Sequence, residues 1–350
     1  MTTSPIDYAA AARPARRFDW VAPLARLGPL IGLVFVFCLF AVLVHVVPHG
    51  QGFANFGNIE LMLRQTAVVG TAAIGMTLII ASGGIDLSVA ANIALSTVVI
   101  ARVMSAHGGH APNLAAVAGV GTCALAGLLI GALITGLKLP PFVVTLGTWG
   151  AYRGLAKGVA GNTYVYPSPV SDPDAWYSTW LYGLTNTLPA SRRWMLVPAG
   201  VWVMIGLALL MAAVLRYTRF GRHVLAVGSN EHTARLCGVP IPRTKVLIYS
   251  VAGALFGVAA LLQFSYTGAG DPVGMTGAEL DVIAAVVIGG ASLTGGQGSI
   301  LGTLAGALII TMVANGCTKV GLPNWVQEIV TGAIIILAVW LDRLRHRPQG

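Results

Sequence analysis

Long apolar runs separated by short polar stretches fill this chain from residue 28 onward, and their length decides its class. A helix that crosses the hydrocarbon core of a bilayer needs about 17–25 mostly apolar residues. Ten runs meet or approach that length, at 28–47, 61–81, 86–105, 114–137, 141–160, 196–215, 245–264, 280–291, 298–316 and 324–341. The run 280–291 is too short to span alone, and 141–160 carries Arg153 and Lys157 toward its end. The pattern predicts an all-α, polytopic membrane helical bundle of about ten transmembrane segments over 28–342, flanked by tails at 1–27 and 343–350. No small-x-small cleavage site follows the first run, so it reads as a retained membrane helix and not as a leader.

The apolar pattern is interrupted at two places. Ser82-Gly83-Gly84-Ile85-Asp86-Leu87-Ser88 separates the second and third runs and holds the only acidic side chain between Arg64 and Arg102. A lone carboxylate at membrane depth costs about 2.5–3.5 kcal/mol, so Asp86 has to be paired, capped or wet. Two glycines permit dihedrals that a continuing helix does not use, and an Asp just ahead of a helix accepts hydrogen bonds from its first free amides. The stretch reads as helix, break, and a capped helix beginning near Leu87. A weaker echo lies at Ile288-Gly289-Gly290-Ala291-Ser292-Leu293-Thr294-Gly295, with Gly289 206 positions after Gly83. Broken helices near 82–88 and 289–298 hint at two related halves around a central site. Non-helical backbone at this depth is the usual setting of a transport path. Asp86, Ser88 and Asn92 are therefore candidate path residues, and helix capping is the structural alternative for Asp86. Small-xxx-small spacings at Gly127/Gly131, Gly253/Gly257 and Gly302/Gly306 allow close helix approach.

Composition agrees with the pattern: 56% of residues are hydrophobic and 9% charged, against about 25% charged in a soluble domain. The net charge of +9 sits in short clusters between apolar runs without aromatic interleaving, which argues against a nucleic-acid partner. The clusters set orientation instead. They place both termini and the loop 216–244 in the cytoplasm. The connection 161–195 then faces outside, and its Tyr164, Tyr166, Trp176, Tyr177, Trp180, Tyr182 and Trp194 read as a headgroup belt or a docking surface. Within 216–244, Gly228-Ser229-Asn230 reads as a turn with a helix cap. Glu231 to Cys237 follows as a short amphipathic helix stopped by Gly238 and Pro240. A basic loop beside a membrane can also be no more than the orientation signal or a lipid-headgroup contact.

Catalytic chemistry is not legible here. Gly295-Gly296-Gln297-Gly298 lacks the following Lys of a phosphate loop, and neither H-E-x-x-H nor G-x-S-x-G occurs. Cys38, Cys123, Cys237 and Cys317 have neither metal nor disulfide spacing. The expectation is a transport subunit with no catalytic residue and no metal site. An ion-coupled secondary transporter would want a relay of intramembrane ionisable groups, of which Asp86 alone supplies little. A membrane subunit driven by a separate ATPase fits better, with 216–244 as its contact surface.

Three segments in the same order carry a family resemblance: Gly75 to Ala91 (GMTLIIASGGIDLSVAA), Phe220 to Pro240 (FGRHVLAVGSNEHTARLCGVP) and Glu279 to Ile310. They resemble the permease subunits of bacterial ATP-binding-cassette importers for monosaccharides, of the ribose, xylose, arabinose and galactofuranose type. The similarity runs over about 60–342. It implies a multi-pass protein of the bacterial inner membrane, paired with a second permease copy or a paralogous permease. It also implies an ATPase subunit that binds ATP and Mg, so that no cofactor sits in this chain, and a periplasmic sugar-binding protein. In such permeases the matching loop supplies the helix that couples to the ATPase, which assigns Gly221, Gly228, Asn230, Glu231, Ala234 and Gly238 to coupling. Thr233 stands where the family often has a second Ala, and Cys237 where it often has Ser. Permeases for branched-chain amino acids or another small polar solute are the nearest alternative.

Overall fold

The computed structural model describes residues 21–46, 52–169, 171–186 and 195–345. Trp194 and most of the two expected tails lie outside these. The described residues form twelve α-helices: α1 Val21–Val46, α2 Phe56–Ala81, α3 Val89–Ala106, α4 Pro112–Leu137, α5 Pro141–Ala160 and α6 Ala199–Tyr217, then α7 Arg219–Ser229, α8 Glu231–Leu236, α9 Ile241–Thr267, α10 Ala278–Ile288, α11 Ile300–Val320 and α12 Asn324–Arg345. Each of the ten apolar runs coincides with a helix, and α7 and α8 fill the loop 216–244. Seven helices are long and apolar enough to cross a membrane: α1 from Gly28, α2, α3, α4, α6, α9 and α11. The others depart for visible reasons. α5 carries Arg153 and Lys157, α10 has only 11 residues, and α12 is apolar only over Asn324–Leu337.

Burial separates centre from rim. In its most apolar window α2 is 78% buried, whereas α1 is 11% buried and presents Leu30, Ile31, Val34 and Phe35 outward. α2 is the hub, packed by α6, α9, α10 and α11. Small residues set how closely the helices approach. α4 lies along α9, where Gly127 and Gly131 face Gly253, Tyr249 and Val246; a Cβ on Gly127 would strike the Tyr249 carbonyl, and one on Gly131 would come within 2.7 Å of Val246 Cα. Two of the three small-xxx-small pairs thus form a single interface. The third, Gly302/Gly306, seats α11 on the carbonyls of Gly289 and Ala285 at the end of α10.

The short helix α10 is suspended between non-helical segments 268–277 and 289–299. Such backbone needs partners where water is scarce. Arg153, buried in α5, supplies them: Nη1 donates to the carbonyls of Pro272 at 3.2 Å and Gly274 at 2.8 Å. Paired hydrogen bonds between Val165 and Gly270, 2.9 and 2.8 Å, fix the start of this segment to the connection after α5. In that connection Trp176 is buried and stacks near Tyr177, Tyr182 and Phe264, while Tyr164, Tyr166 and Trp180 stay exposed. The aromatic residues therefore divide into a cluster that fastens the connection and a set that faces outward.

Candidate functional site

The first break is a helix stop followed by a stapled turn. After α2, Gly83 adopts φ +81°; its amide donates to Ile80 O at 2.9 Å, and the Gly84 amide reaches back to Ile79 O at 3.0 Å. That pattern closes a helix through a left-handed residue, which glycine occupies without steric cost. Asp86 then accepts two hydrogen bonds through Oδ1, from the Ser88 amide at 2.7 Å and the Ser88 hydroxyl at 2.6 Å. α3 begins at Val89, two residues later than the expected start near Leu87, because Leu87 and Ser88 form the turn that the carboxylate holds. Thr145 of α5 covers the turn from the side, donating to Ile85 O at 3.2 Å.

Asp86, Ser88 and Asn92 are all buried, at 1%, 0% and 0% exposure, and none lines a described cavity. The structure brings Asp86 and Ser88 together, but Asn92 is not bonded to either side chain. Its backbone amide donates to Ser88 O at 2.8 Å, and neither side-chain amide atom has a protein partner. The buried Tyr249 hydroxyl is also unpartnered and stands against Gly84, 2.6 Å from where a Cβ there would lie. Sequence reasoning missed Tyr249 and Thr145 because each sits in a helical run with nothing local to mark a long-range role, and it noted the charge of Arg153 without its partners, which lie 119 and 121 positions away.

The second break repeats the first. Gly290 has φ +89°, the Gly290 amide donates to Val287 O at 2.9 Å, and the Ala291 amide reaches back to Val286 O at 3.1 Å. Gly290 is therefore the counterpart of Gly83, one residue beyond the pairing with Gly289 that sequence spacing suggested. Beyond it the chain takes a longer path before Ser299 caps α11, accepting from the Gly302 amide at 3.1 Å. The two broken pairs meet: Thr77 and Thr303 hydroxyls are 2.8 Å apart, and the Gly296 amide donates to Ala81 O at 2.9 Å.

On the same face lie α7 and α8. Thr218 caps α7, accepting from the Gly221 amide at 3.2 Å, and Gly221 fits where any side chain would strike Leu215 and Val214. Gly228 and Ser229 form the last turn of α7, a correction to the expected turn at 228–230. Val224 and Val227 bury one face of this helix and carry it on to Ser229. Asn230 caps α8 as expected, accepting from the Thr233 amide at 2.8 Å, and Gly238 at φ +83° ends it. Ala234 is buried against Val227 and Ile241. Glu231 ties α8 to α9 through Lys245 Nζ at 2.7 Å and also meets Arg235 at 3.6 Å. Leu236 is 76% exposed. Beside α8 runs an open cleft of about 750 Å³, bounded by Lys138, Pro140, Pro141, Glu231, Arg235 and Lys245. Among the described residues no group of three or more His, Cys, Asp or Glu could hold a metal ion.

Residues 58–339 match the family described as branched-chain amino acid transport system / permease component. The chain is 36% identical to the ribose import permease protein of Bacillus subtilis over 94% of its own length and 96% of the relative's. It is 35% identical to the fructose import permease protein of Rhizobium meliloti, covering 90% and 84%. It is 31% identical to the xylose transport system permease protein of Haemophilus influenzae, covering 89% and 94%. No solved structure matches.

Proposed function

This chain belongs to the branched-chain amino acid transport system / permease component family, and from that premise we propose that it is the membrane-spanning permease subunit of an ATP-driven importer for a monosaccharide. The observation that carries the sugar reading is the near full-length similarity to import permeases for ribose, fructose and xylose. The family description names amino acids, whereas these relatives are named for sugars.

In this reading α7 and α8 are the ATPase contact. α8 is capped at its start, stopped by Gly238 and tied down by the Glu231–Lys245 pair, so it offers Leu236 as a fixed apolar knob beside the cleft. ATP and Mg bind in the partner, since this chain has no phosphate loop. A second copy or a paralogous permease completes the path, and a periplasmic sugar-binding protein docks on the face that exposes Tyr164, Tyr166 and Trp180. Asp86 and Ser88 serve the path by holding the break, and Asn92, like the Tyr249 hydroxyl beside Gly84, keeps hydrogen-bonding capacity for a sugar hydroxyl or water. The chain is a multi-pass protein of the inner membrane with both termini and α7–α8 cytoplasmic. In intact cells, Cys at exposed Ser178 reacts with an impermeant reagent and Cys at exposed Ser229 does not; the reverse pattern overturns this orientation.

The functional test is uptake by proteoliposomes that contain the chain with its co-expressed ATPase and a loaded binding protein, across D-ribose, D-xylose, D-fructose and L-leucine. ATP-dependent uptake of a sugar is expected. Uptake of leucine in its place would return the chain to amino-acid transport. Sugar movement by the chain alone along a proton or sodium gradient would make it a secondary transporter.

A further inference from the structure

Three backbone segments far apart in sequence converge on one point: the end of α2 with the first break (Ala81–Gly83), the last turn of α7 (Gly228–Ser229) and the second break (Gly295–Gly298). They touch backbone to backbone. A Cβ on Gly295 would lie 2.6 Å from Gly228 O and 2.9 Å from Gly83 Cα. One on Gly296 would lie 3.0 Å from Ser229 Cα, and one on Gly228 would strike Ala81 O and lie 2.6 Å from Gly296 N. The hydrogen bond from Gly296 N to Ala81 O spans two of the three segments.

Contacts made by long side chains can absorb a displacement through rotamer changes. Close-packed backbone has no such slack and passes strain on. The third segment belongs to α7, which is joined through Asn230 to α8 and its exposed Leu236. Neither break alone would need to meet α7; both do, at glycines.

We propose that Gly83, Gly228, Gly295 and Gly296 form a rigid transmission joint, through which displacement of α7–α8 moves both broken helix pairs, α2/α3 and α10/α11, as one block. The Thr77–Thr303 hydroxyl pair, 2.8 Å apart, links the same two pairs deeper in the bundle. The proposal rests on the reading of α7–α8 as the ATPase contact. It adds the route by which that contact reaches the membrane interior, and it makes these glycines positioning residues.

Gly290 supplies the control that separates joint packing from backbone strain. Gly295 and Gly290 lie in the same break with φ +88° and +89°, yet a Cβ on Gly290 meets nothing within 4 Å. Gly295→Ala and Gly290→Ala therefore both force a side chain into a positive φ, and only the first wedges the joint. In proteoliposomes holding the full complex, Gly295→Ala should lower uptake at least tenfold while the assembled ATPase still hydrolyses ATP without stimulation by loaded binding protein. Gly290→Ala should keep uptake within twofold of wild type. The probe is whichever of D-ribose, D-xylose or D-fructose the wild-type complex takes up.

A second measurement needs no wedge. A Cβ on Gly298 would lie 3.2 Å from Ala81 Cβ, a few tenths of an ångström under the range that disulfides span, about 3.5–4.5 Å. With the four native cysteines replaced, oxidised Ala81→Cys/Gly298→Cys should transport within twofold of its reduced form, because a rigid block loses nothing when stapled. Equal uptake by Gly295→Ala and Gly290→Ala would overturn the proposal. So would a crosslink that stops uptake until reductant is added, since that outcome means the segments slide. If Gly295→Ala fails to assemble, the crosslink still decides whether the two breaks move as one block. Absence of ATP-dependent uptake by the wild-type complex would instead strike the functional reading on which the proposal stands.

Discussion

Replacing Asp86 by Ala and by Asn separates its two possible tasks. Oδ1 accepts from the Ser88 amide at 2.7 Å and from the Ser88 hydroxyl at 2.6 Å. In Asp86→Ala the hydroxyl can rotate to another acceptor, whereas the amide is fixed by the turn. Asp86 holds the turn ahead of α3 and does not cap the helix, whose N-cap Ser88 has no side-chain cap bond, so the cost is that of a stranded buried donor, about 1–3 kcal/mol. The expected loss is therefore about 2 kcal/mol. For a chain of 350 residues that lowers Tm by roughly 3 °C. Asp86→Asn keeps an Oδ1 acceptor of the same shape and removes a buried charge, so its Tm should lie within about 1 °C of wild type. Thermal unfolding in detergent, followed by intrinsic fluorescence, reads both variants, and sugar uptake by the reconstituted complex reads function. If Asp86→Ala melts with wild-type Tm, the turn does not depend on the carboxylate. If Asp86→Asn melts normally and does not transport, the charge itself acts in the path and a purely turn-holding role fails.

Two further perturbations test the frame around the breaks. Arg153→Ala removes the donor to the Pro272 and Gly274 carbonyls; each stranded acceptor costs about 1–3 kcal/mol. Limited proteolysis should then cut within 271–277 far faster than in wild type, and unchanged resistance would show that the segment holds itself. Gly127→Val should separate α4 from α9, because a side chain there runs into the Tyr249 carbonyl and Gly253. Overpacking of this kind costs about 1–3 kcal/mol, so a loss of several degrees in Tm is expected, and a neutral outcome would mean the two helices do not pack through this face.

The sequence by itself determined the class, the places of the ten apolar helices and the existence of both breaks, but not the helix Arg219–Ser229. Membrane thickness converts run length directly into spanning helices, and paired glycines beside a lone Asp leave few local solutions. The caps at Asn230 and Gly238 were legible for the same reason, since capping depends on residues at most a few positions apart. What the sequence left open lay in contacts between distant segments. Gly290, and not Gly289, matches Gly83, because the match depends on which residue turns left-handed after the last helical bond, and adjacent glycines can trade that role. Gly228 belongs to α7 and not to a turn, because Val224 and Val227 bury the helix face that leads to it. Arg153 only weakened the reading of 141–160 as a spanning run, and its task became visible where the Pro272 and Gly274 carbonyls come beside it. The meeting of Ala81, Gly228 and Gly296 has no trace in any local window, for a glycine reserved for a close approach from across the molecule reads the same as one reserved for a bend. Only the tertiary structure decided which glycines were turns and which were contacts, because steric exclusion by a distant backbone is set by where the chain returns and not by its neighbours in sequence.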